Sequence, residues 1–336
     1  MVSIMDGTTD RITTLLRDTS RTFALSIEGL PAGLREEIAV SYLLLRVSDY
    51  IEDHDSLPAE EKIRLLGTWE ATLERPERVA EFLETLSGVP HRPDDPEADV
   101  VLGCGTLLEE LESFPDEQAH VIVERVRETT RGMARWQAKG PRVENEQELD
   151  DYMHQVAGLV GYLVTDLFAI HYPAVRRRHL ELMPLAREFG LALQTVNVLR
   201  GLRKDYERGW VFVPQTFVAA HGLIASDLFR ASEQRRAMAV VGDLIGKAER
   251  HIQFGLAYVR LIPRRLHQLR LACIWPLLFA AKTIAISREN PAVLNGEVKI
   301  SRATVKQIVR DTTVCGWSNA WIQRYANRLL TADQTV

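Results

Sequence analysis

The stretch "YLLLRVSDYIEDHDS", residues 42–56, passes from an apolar run into a cluster of acidic residues within two helical turns. Its first part is apolar on nearly every side, which predicts a helix that is buried all round. Residues four apart project from one face of a helix, so Asp49 and Asp53 should lie one turn apart, with Arg46 a turn earlier. The stretch therefore predicts a core helix with two stacked carboxylates at its end.

Two explanations of this acidic cluster are open. A solvated helix end is the ordinary one, because charged side chains usually lie at the surface. Carboxylates at the inner end of a buried helix, however, need a cation, and paired aspartates suit Mg²⁺, which combines one or two carboxylates with waters and phosphate oxygens. Arg21 in "SRTF" and Arg46 offer guanidinium groups that bond phosphate oxygens. This combination favours a Mg²⁺ site for a phosphorylated ligand.

The remainder of the chain is helical by its apolar periodicity. Its 336 residues are 46% hydrophobic, and apolar residues recur at steps of three and four, whereas strand-like alternation is scarce. Neither proline-containing loop, 87–99 or 214–223, is long or polar enough to be a linker, so we expect one all-α domain over residues 1–336. The predicted helices cover residues 8–18, 34–53, 59–74, 76–86, 97–113, 116–138, 147–171, 175–207, 225–260, 265–287 and 302–331.

Charge and cysteine content exclude several classes of protein. A net charge of −5 gives no general attraction to nucleic acid or to anionic lipid. Three widely spaced cysteines argue against a disulfide framework and fit a reducing cytoplasm. There is no signal-like N-terminus and no run of roughly 18 to 20 uncharged apolar residues. We expect a cytoplasmic protein that binds no nucleic acid.

A second helix of interest is "LALQTVNVLRGLRKDYERGWVFVP", residues 191–214. Gln194, Asn197, Gly201 and Asp205 fall at steps of three and four, and so form a polar line on a helix rich in Leu and Val. Buried amides and acids cost free energy unless they are hydrogen-bonded, so the line indicates either a ligand site or a hydrogen-bonded seam between helices.

A third helix, "YMHQVAGLVGYLVTDLF", residues 152–168, combines Tyr152 with the small residues Ala157, Gly158 and Gly161. Small residues allow another backbone or a ligand to come close. Helix packing alone is the more common explanation of such glycines.

These segments together resemble the squalene and phytoene synthase family of head-to-head prenyltransferases. The similarity runs from "SRTFALSIEGLP" through the three helices above to "VLNGEVKISRATV", and "NGEVKI" favours the squalene branch. The resemblance implies an isoprenoid synthase fold around a central apolar cavity, with diphosphate sites at one mouth.

The resemblance also implies a reaction. A Mg²⁺-dependent prenyltransferase would join two farnesyl diphosphates into presqualene diphosphate, and reduction by NADPH would then give squalene. A longer substrate such as geranylgeranyl diphosphate stays open, as does the oligomeric state. Because the product is apolar, peripheral contact with a membrane is expected.

Residue roles follow from the matching motifs. Asp49 and Asp53 would hold Mg²⁺ and drive ionisation, with Asp205 as a further metal ligand, and Tyr152 would relay a proton to the departing diphosphate. In the absence of a GxGxxG motif after a strand, Lys299 and Arg302 are the candidates for binding NADPH. The expected substrate-binding residues are Arg21, Tyr42, Arg46, Gln194, Asn197, Arg200 and Lys204.

The chain departs from the family in the second acidic motif. Gly201 and Lys204 stand where relatives carry Asp and Glu, and only Asp205 survives. Three accounts are open. Lys204 or Arg203 could replace a metal, so that a complete synthase survives; one ionisation could be lost, which would divert the product to presqualene diphosphate, hydroxysqualene, dehydrosqualene or a single-prenyl compound; or the protein could only bind isoprenoids.

Overall fold

The computed structural model describes residues 2–91, 94–296 and 298–331, without the side chains of residues 2–10 and Arg21. In this part the chain is helical, and β-structure is limited to an isolated bridge between Arg142 and Val211, so the all-α prediction is confirmed. The α-helices are α1 (Val2–Thr19), α2 (Arg21–Glu28), α3 (Leu34–Asp53), α4 (Ala59–Glu74), α5 (Val79–Leu86), α6 (Pro96–Leu102), α7 (Cys104–Glu112), α8 (Asp116–Lys139), α9 (Glu146–Met153), α10 (Leu159–His171), α11 (Pro173–Arg176), α12 (His179–Glu207), α13 (Gln215–Ala220), α14 (Gln234–Leu261), α15 (His267–Ser287), α16 (Ala292–Asn295), α17 (Arg302–Cys315) and α18 (Asn319–Thr331).

Helices α3 and α4 begin and end at the predicted residues, whereas several longer predictions were wrong in detail. The predicted helices over 97–113 and 302–331 are each divided into two, at Gly103 and after Cys315. Residues 225–233 form two 3₁₀ turns instead of the start of a helix. Helix α2 was not predicted, although Ser20 caps it by accepting a hydrogen bond from the Phe23 N–H at 3.3 Å.

The chain divides into two compact units. The first holds the residues up to Gly140 together with Asp166–Pro173, and the second holds Pro141–Thr165 together with the residues from Ala174 onward. A single domain stays a prediction.

Helix α3 is the central helix of the first unit. It packs against α1, α4, α6, α7 and α8, and Leu43, Leu44, Val47 and Ile51 are fully buried. A hydrogen bond of 2.8 Å between the hydroxyls of Ser48 and Thr130 satisfies polar groups at the contact with α8. Because α3 is held on several sides, the side chains on its less buried face are also held in position.

Helices α12, α14 and α15 form the core of the second unit. Helix α12 packs along α14, and α15 contacts both. Residues 146–171 and α15 are each long and apolar enough to span a membrane by length and composition; the apolar window of α15 is 83% buried within the protein, and that of 146–171 is 44% buried. Such burial is typical of a core helix, and it explains why α15 is apolar around its whole circumference.

The small residues predicted to allow close approach lie at a helix contact in the second unit. A Cβ atom at Gly190 of α12 would stand 2.3 Å from the Ala157 carbonyl oxygen, and one at Gly161 would stand 2.2 Å from the Ala186 carbonyl oxygen. Residues 154–158, between α9 and α10, form a π-helical turn. The glycines therefore allow two helix backbones to touch, and the packing explanation accounts for them.

Arg270 of α15 is fully buried and joins several helix ends. Its guanidinium donates to the carbonyl oxygens of Val259, Ile262 and Gly316 and to Oδ1 of Asn319, at 2.7–3.3 Å. Burial lowers the pKa of Arg270 to about 10, so the group stays charged at neutral pH, where carbonyls at helix C-termini favour a cation. This residue fixes the α14–α15 connection beside the α17–α18 connection.

Candidate functional site

The acidic stretch that opened the sequence analysis forms one stripe on α3. Tyr42, Arg46, Asp49 and Asp53 are partly or fully exposed, whereas the residues between them are buried. The prediction that this helix is buried all round was therefore wrong for this stripe, since the polar side chains keep one line of the surface open.

Arg46 lies between two carboxylates in the first unit. Its Nη1 atom is 2.7 Å from Oδ2 of Asp49, and its Nη2 atom pairs with Glu97 in the first turn of α6. Burial raises the pKa of Asp49 to about 6; Arg46 opposes the rise, and the nearby carboxylates of Asp53 and Glu97 add to it. The carboxylates of Asp49, Asp53 and Glu97 thus lie close enough to act on one another around Arg46, an arrangement that also suits a bound cation.

The N-terminal end of the stripe meets the "SRTF" segment. The Tyr42 ring lies 5.8 Å from that of Phe23, and the Ser20 and Thr19 side chains oppose the rise that burial causes in the pKa of the Tyr42 phenol. Arg21 begins α2 beside these residues in sequence, and its side chain lies outside the described residues. The structure therefore brings the two predicted motifs of the first unit together at Tyr42.

On α12, the predicted polar line lies on the side that is not buried in the core. Asn197 is exposed and donates to Oε1 of Gln194 at 3.1 Å. Lys204 is exposed and Arg200 is half-buried. A line that is open to solvent argues against a hydrogen-bonded seam buried between helices.

Asp205 is already paired with a cation. Its Oδ1 atom lies 2.9 Å from Nη2 of Arg208, one turn further along. Its Oδ2 atom leans over Gly201, at 2.8 Å from the position that a Cβ atom would take there. The neighbouring aromatic residues Tyr206, Trp210, Phe212 and Phe229 line a small cleft with Asp205, whose cavity volume is about 10 Å³. The carboxylate thus fills the space left by the missing side chain at position 201.

Tyr152 begins a column of three stacked rings. Its ring lies 4.4 Å from that of Phe212, which in turn lies 5.3 Å from that of Trp210. Phe212 is placed by its own segment, because the Val211 N–H donates to the Pro141 carbonyl oxygen at 2.9 Å. Tyr152 is only 4% exposed, so the column holds its phenol in one orientation.

Lys299 and Arg302 are both exposed, in the segment that leads into α17 and at the first residue of that helix. They flank Ser301, whose side chain caps the helix by accepting from the Thr304 N–H at 3.1 Å. Two cations beside a helix N-terminus suit a phosphate group. Their role in binding NADPH stays a prediction.

Three residues at these sites were missed from the sequence. Glu97 reaches Arg46 from 51 residues away, which no local pattern reports. Arg208 follows Asp205 at a spacing of three, and helical periodicity could have found it. Phe212 stacks on Tyr152 through tertiary packing, and its only sequence signal is the aromatic "WVF" run.

Comparison with known proteins places these motifs in a wider context. A family model described as squalene/phytoene synthase matches residues 16–304. Squalene synthase of Schizosaccharomyces pombe is 28% identical over 88% of this chain, which spans 63% of that protein, and the Homo sapiens squalene synthase is 28% identical over 94% of this chain and 72% of its own length. A solved structure of TcSQS with a bound ligand superposes on this chain with a TM-score of 0.83 at 21% identity. The match covers 96% of this chain and 91% of the TcSQS chain.

Proposed function

The chain belongs to the squalene/phytoene synthase family and has the isoprenoid synthase fold, and from this we propose that it condenses two farnesyl diphosphates head to head, through presqualene diphosphate, to squalene. The observation that carries the proposal is the open stripe of α3, on which Tyr42, Arg46, Asp49 and Asp53 line up beside Glu97. Diphosphate leaves only if its developing charge is neutralised, and this stripe concentrates the groups that can do so.

The residues of the stripe fit Mg²⁺. Among the described residues, no three His, Cys, Asp or Glu side chains form a complete metal site of their own. Mg²⁺ needs no such cage, because it takes one or two carboxylates and completes its shell with water and phosphate oxygens. Asp49 and Asp53 would hold the ion, which would supply Lewis-acid stabilisation of the leaving diphosphate. Burial and neighbouring carboxylates raise the pKa of Asp49, and a bound cation would stabilise its charged form.

The protein side chains around this position have separate tasks. Arg46 is held in place by Asp49 and Glu97, so its guanidinium is oriented before a substrate arrives and can bond a phosphate oxygen. Tyr42 can donate a hydrogen bond, and Arg21 is the further phosphate-binding candidate. Preorganised donors of this kind stabilise a departing anion without reorganisation.

The second acidic motif does not fit a metal in the same way. Gly201 offers no ligand, Lys204 is a cation, and Asp205 already pairs with Arg208. We therefore derive no step through a metal there. Gln194, Asn197, Arg200 and Lys204 would instead bind diphosphate directly, with Arg208 as an additional guanidinium that the structure places beside Asp205.

Tyr152 would move the proton. Head-to-head coupling forms a bond between two prenyl chains and closes a cyclopropane by losing a proton, which must reach a base such as the released diphosphate. A buried phenol held by the Phe212 ring can pass that proton while it excludes water from the cationic intermediates.

Reduction to squalene needs a hydride, and NADPH is the proposed donor. Lys299 and Arg302 would bind its phosphates, since both are exposed cations beside the start of α17. When bound, the cofactor would supply the hydride that ends the reaction. Without it the protein would yield presqualene diphosphate or a product derived from presqualene diphosphate.

A diverted reaction is the second candidate function, and the altered motif around Gly201 favours it. A protein that only binds isoprenoids is the third candidate, since loss of two acids is also what a non-catalytic relative would show. Incubation with farnesyl diphosphate and Mg²⁺, with and without NADPH, followed by mass spectrometry of the lipids, distinguishes all three. We place the reaction in the cytoplasm, in peripheral contact with a membrane that receives the apolar product.

A further inference from the structure

The net charge of −5 conceals a strong segregation of charge. Between Val298 and Thr331 the chain carries six Lys and Arg residues and a single acid, Asp311. That acid is already engaged, because it accepts from the Tyr325 hydroxyl at 3.1 Å and pairs with Arg310 at 3.2 Å. The C-terminal helices therefore form a basic region on an otherwise acidic protein.

The basic residues of α17 lie on its outer side. Arg302, Lys306 and Arg310 follow one another at steps of four and are exposed, whereas Ile308 and Thr312, centred about 140° away around the helix, are buried. The same series continues to Val314, where an apolar side chain is 68% exposed. The cationic row thus ends in an exposed hydrophobic residue.

Three chain connections of the second unit meet at this end of α17. Nη1 of Arg178, between α11 and α12, donates to the Leu261 carbonyl oxygen at 3.3 Å. Nε2 of His267, after the α14–α15 connection, hydrogen-bonds with the Thr313 carbonyl oxygen at 3.0 Å. Arg270 binds carbonyl oxygens of both the α14–α15 and the α17–α18 connections. These contacts gather the three connections into one surface, which we call the basic rim.

The basic rim combines cations with exposed apolar side chains. Its segments are 176–180 ("RRRHL"), 262–266 ("IPRRL") and 313–318 ("TVCGWS"), which contain five arginines and no acid, with Glu181 following the first segment. Leu180 is 89% exposed and Trp317 is 55% exposed. Among the described residues, six large hydrophobic side chains are exposed. Three of these six lie in the basic rim: Leu180, Val314 and Trp317. Exposed apolar side chains that are grouped on one surface are typical of a site of contact with a membrane or with another protein.

We propose that the basic rim docks the protein on the surface of an anionic lipid bilayer. Arg264 and Arg265, with the arginines of 176–178, would lie at the level of the lipid headgroups, where positive charge is attracted to anionic lipid. Trp317, Val314 and Leu180 would enter the boundary between headgroups and acyl chains, which tryptophan prefers. Nucleic acid would match the arginines but would leave these apolar side chains in water.

The surface is separate from the candidate catalytic residues. Leu180, Arg264, Arg265, Val314 and Trp317 belong to none of the predicted binding or catalytic groups. Changing them therefore tests membrane docking without touching the proposed chemistry, and product formation in detergent can be followed independently.

The test is co-sedimentation of the full chain with phosphatidylcholine vesicles, with or without about 30 mol% phosphatidylserine. We expect binding only to the anionic vesicles, weakening from low to high salt. Arg264→Gln/Arg265→Gln should weaken it at least about tenfold, since each basic residue near an anionic surface contributes about fivefold. Leu180→Ser/Trp317→Ser should weaken it similarly. Exposed residues elsewhere provide matched controls, Arg75→Gln/Arg235→Gln and Leu102→Ser/Ile224→Ser, which should bind as the parent chain does.

Three results would overturn the proposal. The first is binding to neutral vesicles as strong as binding to anionic vesicles, and the second is a loss of binding in the control variants equal to that in the basic-rim variants. The third is the absence of vesicle binding by the parent chain, and this result would overturn the proposal whether or not the chain binds a fluorescent DNA duplex through the same arginines. Trp317→Phe adds a readout that does not depend on affinity. This variant should still bind, but the blue shift of tryptophan fluorescence on binding should be smaller than in the parent chain.

Discussion

The Asp205 carboxylate lies directly over Gly201, with Oδ2 at 2.8 Å from the place where a Cβ atom at position 201 would stand. The other oxygen of this carboxylate, Oδ1, lies 2.9 Å from Nη2 of Arg208. A side chain at position 201 would push the flexible end of Asp205 aside. The glycine at position 201 thus leaves room for the Asp205 carboxylate, and this makes the second motif testable as a unit.

Placing acids at positions 201 and 204 should create a second metal position. Gly201→Asp/Lys204→Glu makes the net charge of the motif more negative by three and displaces the Asp205 carboxylate from its place over residue 201. We expect additional Mn²⁺ bound per chain in the presence of pyrophosphate, measured by electron paramagnetic resonance, because carboxylates replace a cation at the site. Gly201→Asn/Lys204→Gln is the control of similar shape without the acids. If the acidic variant binds no more Mn²⁺ than this control, the motif is not a metal position, and unchanged product formation would show that the departure is not limiting.

Removing either carboxylate of the first motif should nearly abolish turnover. Asp49→Asn and Asp53→Asn keep the side-chain shape but remove the charge that holds Mg²⁺, and loss of such electrostatic stabilisation costs at least about 100-fold in kcat. Pyrophosphate release measures the effect. Asp116→Asn, an exposed residue in the first turn of α8, should leave turnover unchanged. Full activity in both motif variants would contradict the assignment of this stripe.

Tyr152→Phe should lower kcat by about 100-fold, as expected when a positioned proton-transfer group is removed. The ring stack on Phe212 survives this change, so the loss in unfolding free energy should stay below about 1.5 kcal/mol. Tyr258→Phe is a matched control in the same unit, because the Tyr258 hydroxyl is buried and bonded to Thr165 at 2.8 Å. This control should lose similar stability and no activity. Equal loss of activity in the two variants would show that Tyr152 acts only through packing.

Gly190→Ala should destabilise the protein by about 2 to 3 kcal/mol, because a Cβ atom there would meet the backbone oxygen of Ala157 at 2.3 Å and neither helix can yield easily. Gly242→Ala, in the exposed middle of α14 with no atom within 4 Å, should instead stabilise it by about 0.5 to 1 kcal/mol. Chemical denaturation measures both changes. Changes of the same sign would refute the close contact between α12 and the π-helical turn.

Local sequence signals predicted what local physics determines. The bounds of α3 and α4 were correct because apolar periodicity and their flanking residues agree, and the stripe of Arg46, Asp49 and Asp53 follows from helical spacing alone. The break after Cys315 was missed because the apolar pattern continues on both sides of it. A glycine and a serine are the only local signals of the break. Glu97 beside Arg46 could not be predicted, since a contact across 51 residues depends on how α6 packs on α3.

The same contrast holds for the second motif. Gly201 and Lys204 are visible in the sequence, but their consequence for the Asp205 carboxylate is not. Only the rotamer of that side chain, fixed by Arg208 and by the empty space over Gly201, shows that the remaining acid is engaged. Sequence therefore points to the motif, and packing shows that Asp205 within it is paired with Arg208.

The central claim is a Mg²⁺-dependent coupling of two prenyl diphosphates, and its most direct test is product analysis. Purified protein is incubated with farnesyl diphosphate, with and without Mg²⁺ and NADPH, and lipids and pyrophosphate are quantified by mass spectrometry and an enzyme-coupled assay. We predict presqualene diphosphate with Mg²⁺ alone and squalene when NADPH is added, with pyrophosphate released in both cases. No coupled product and no pyrophosphate under any of these conditions would contradict the account.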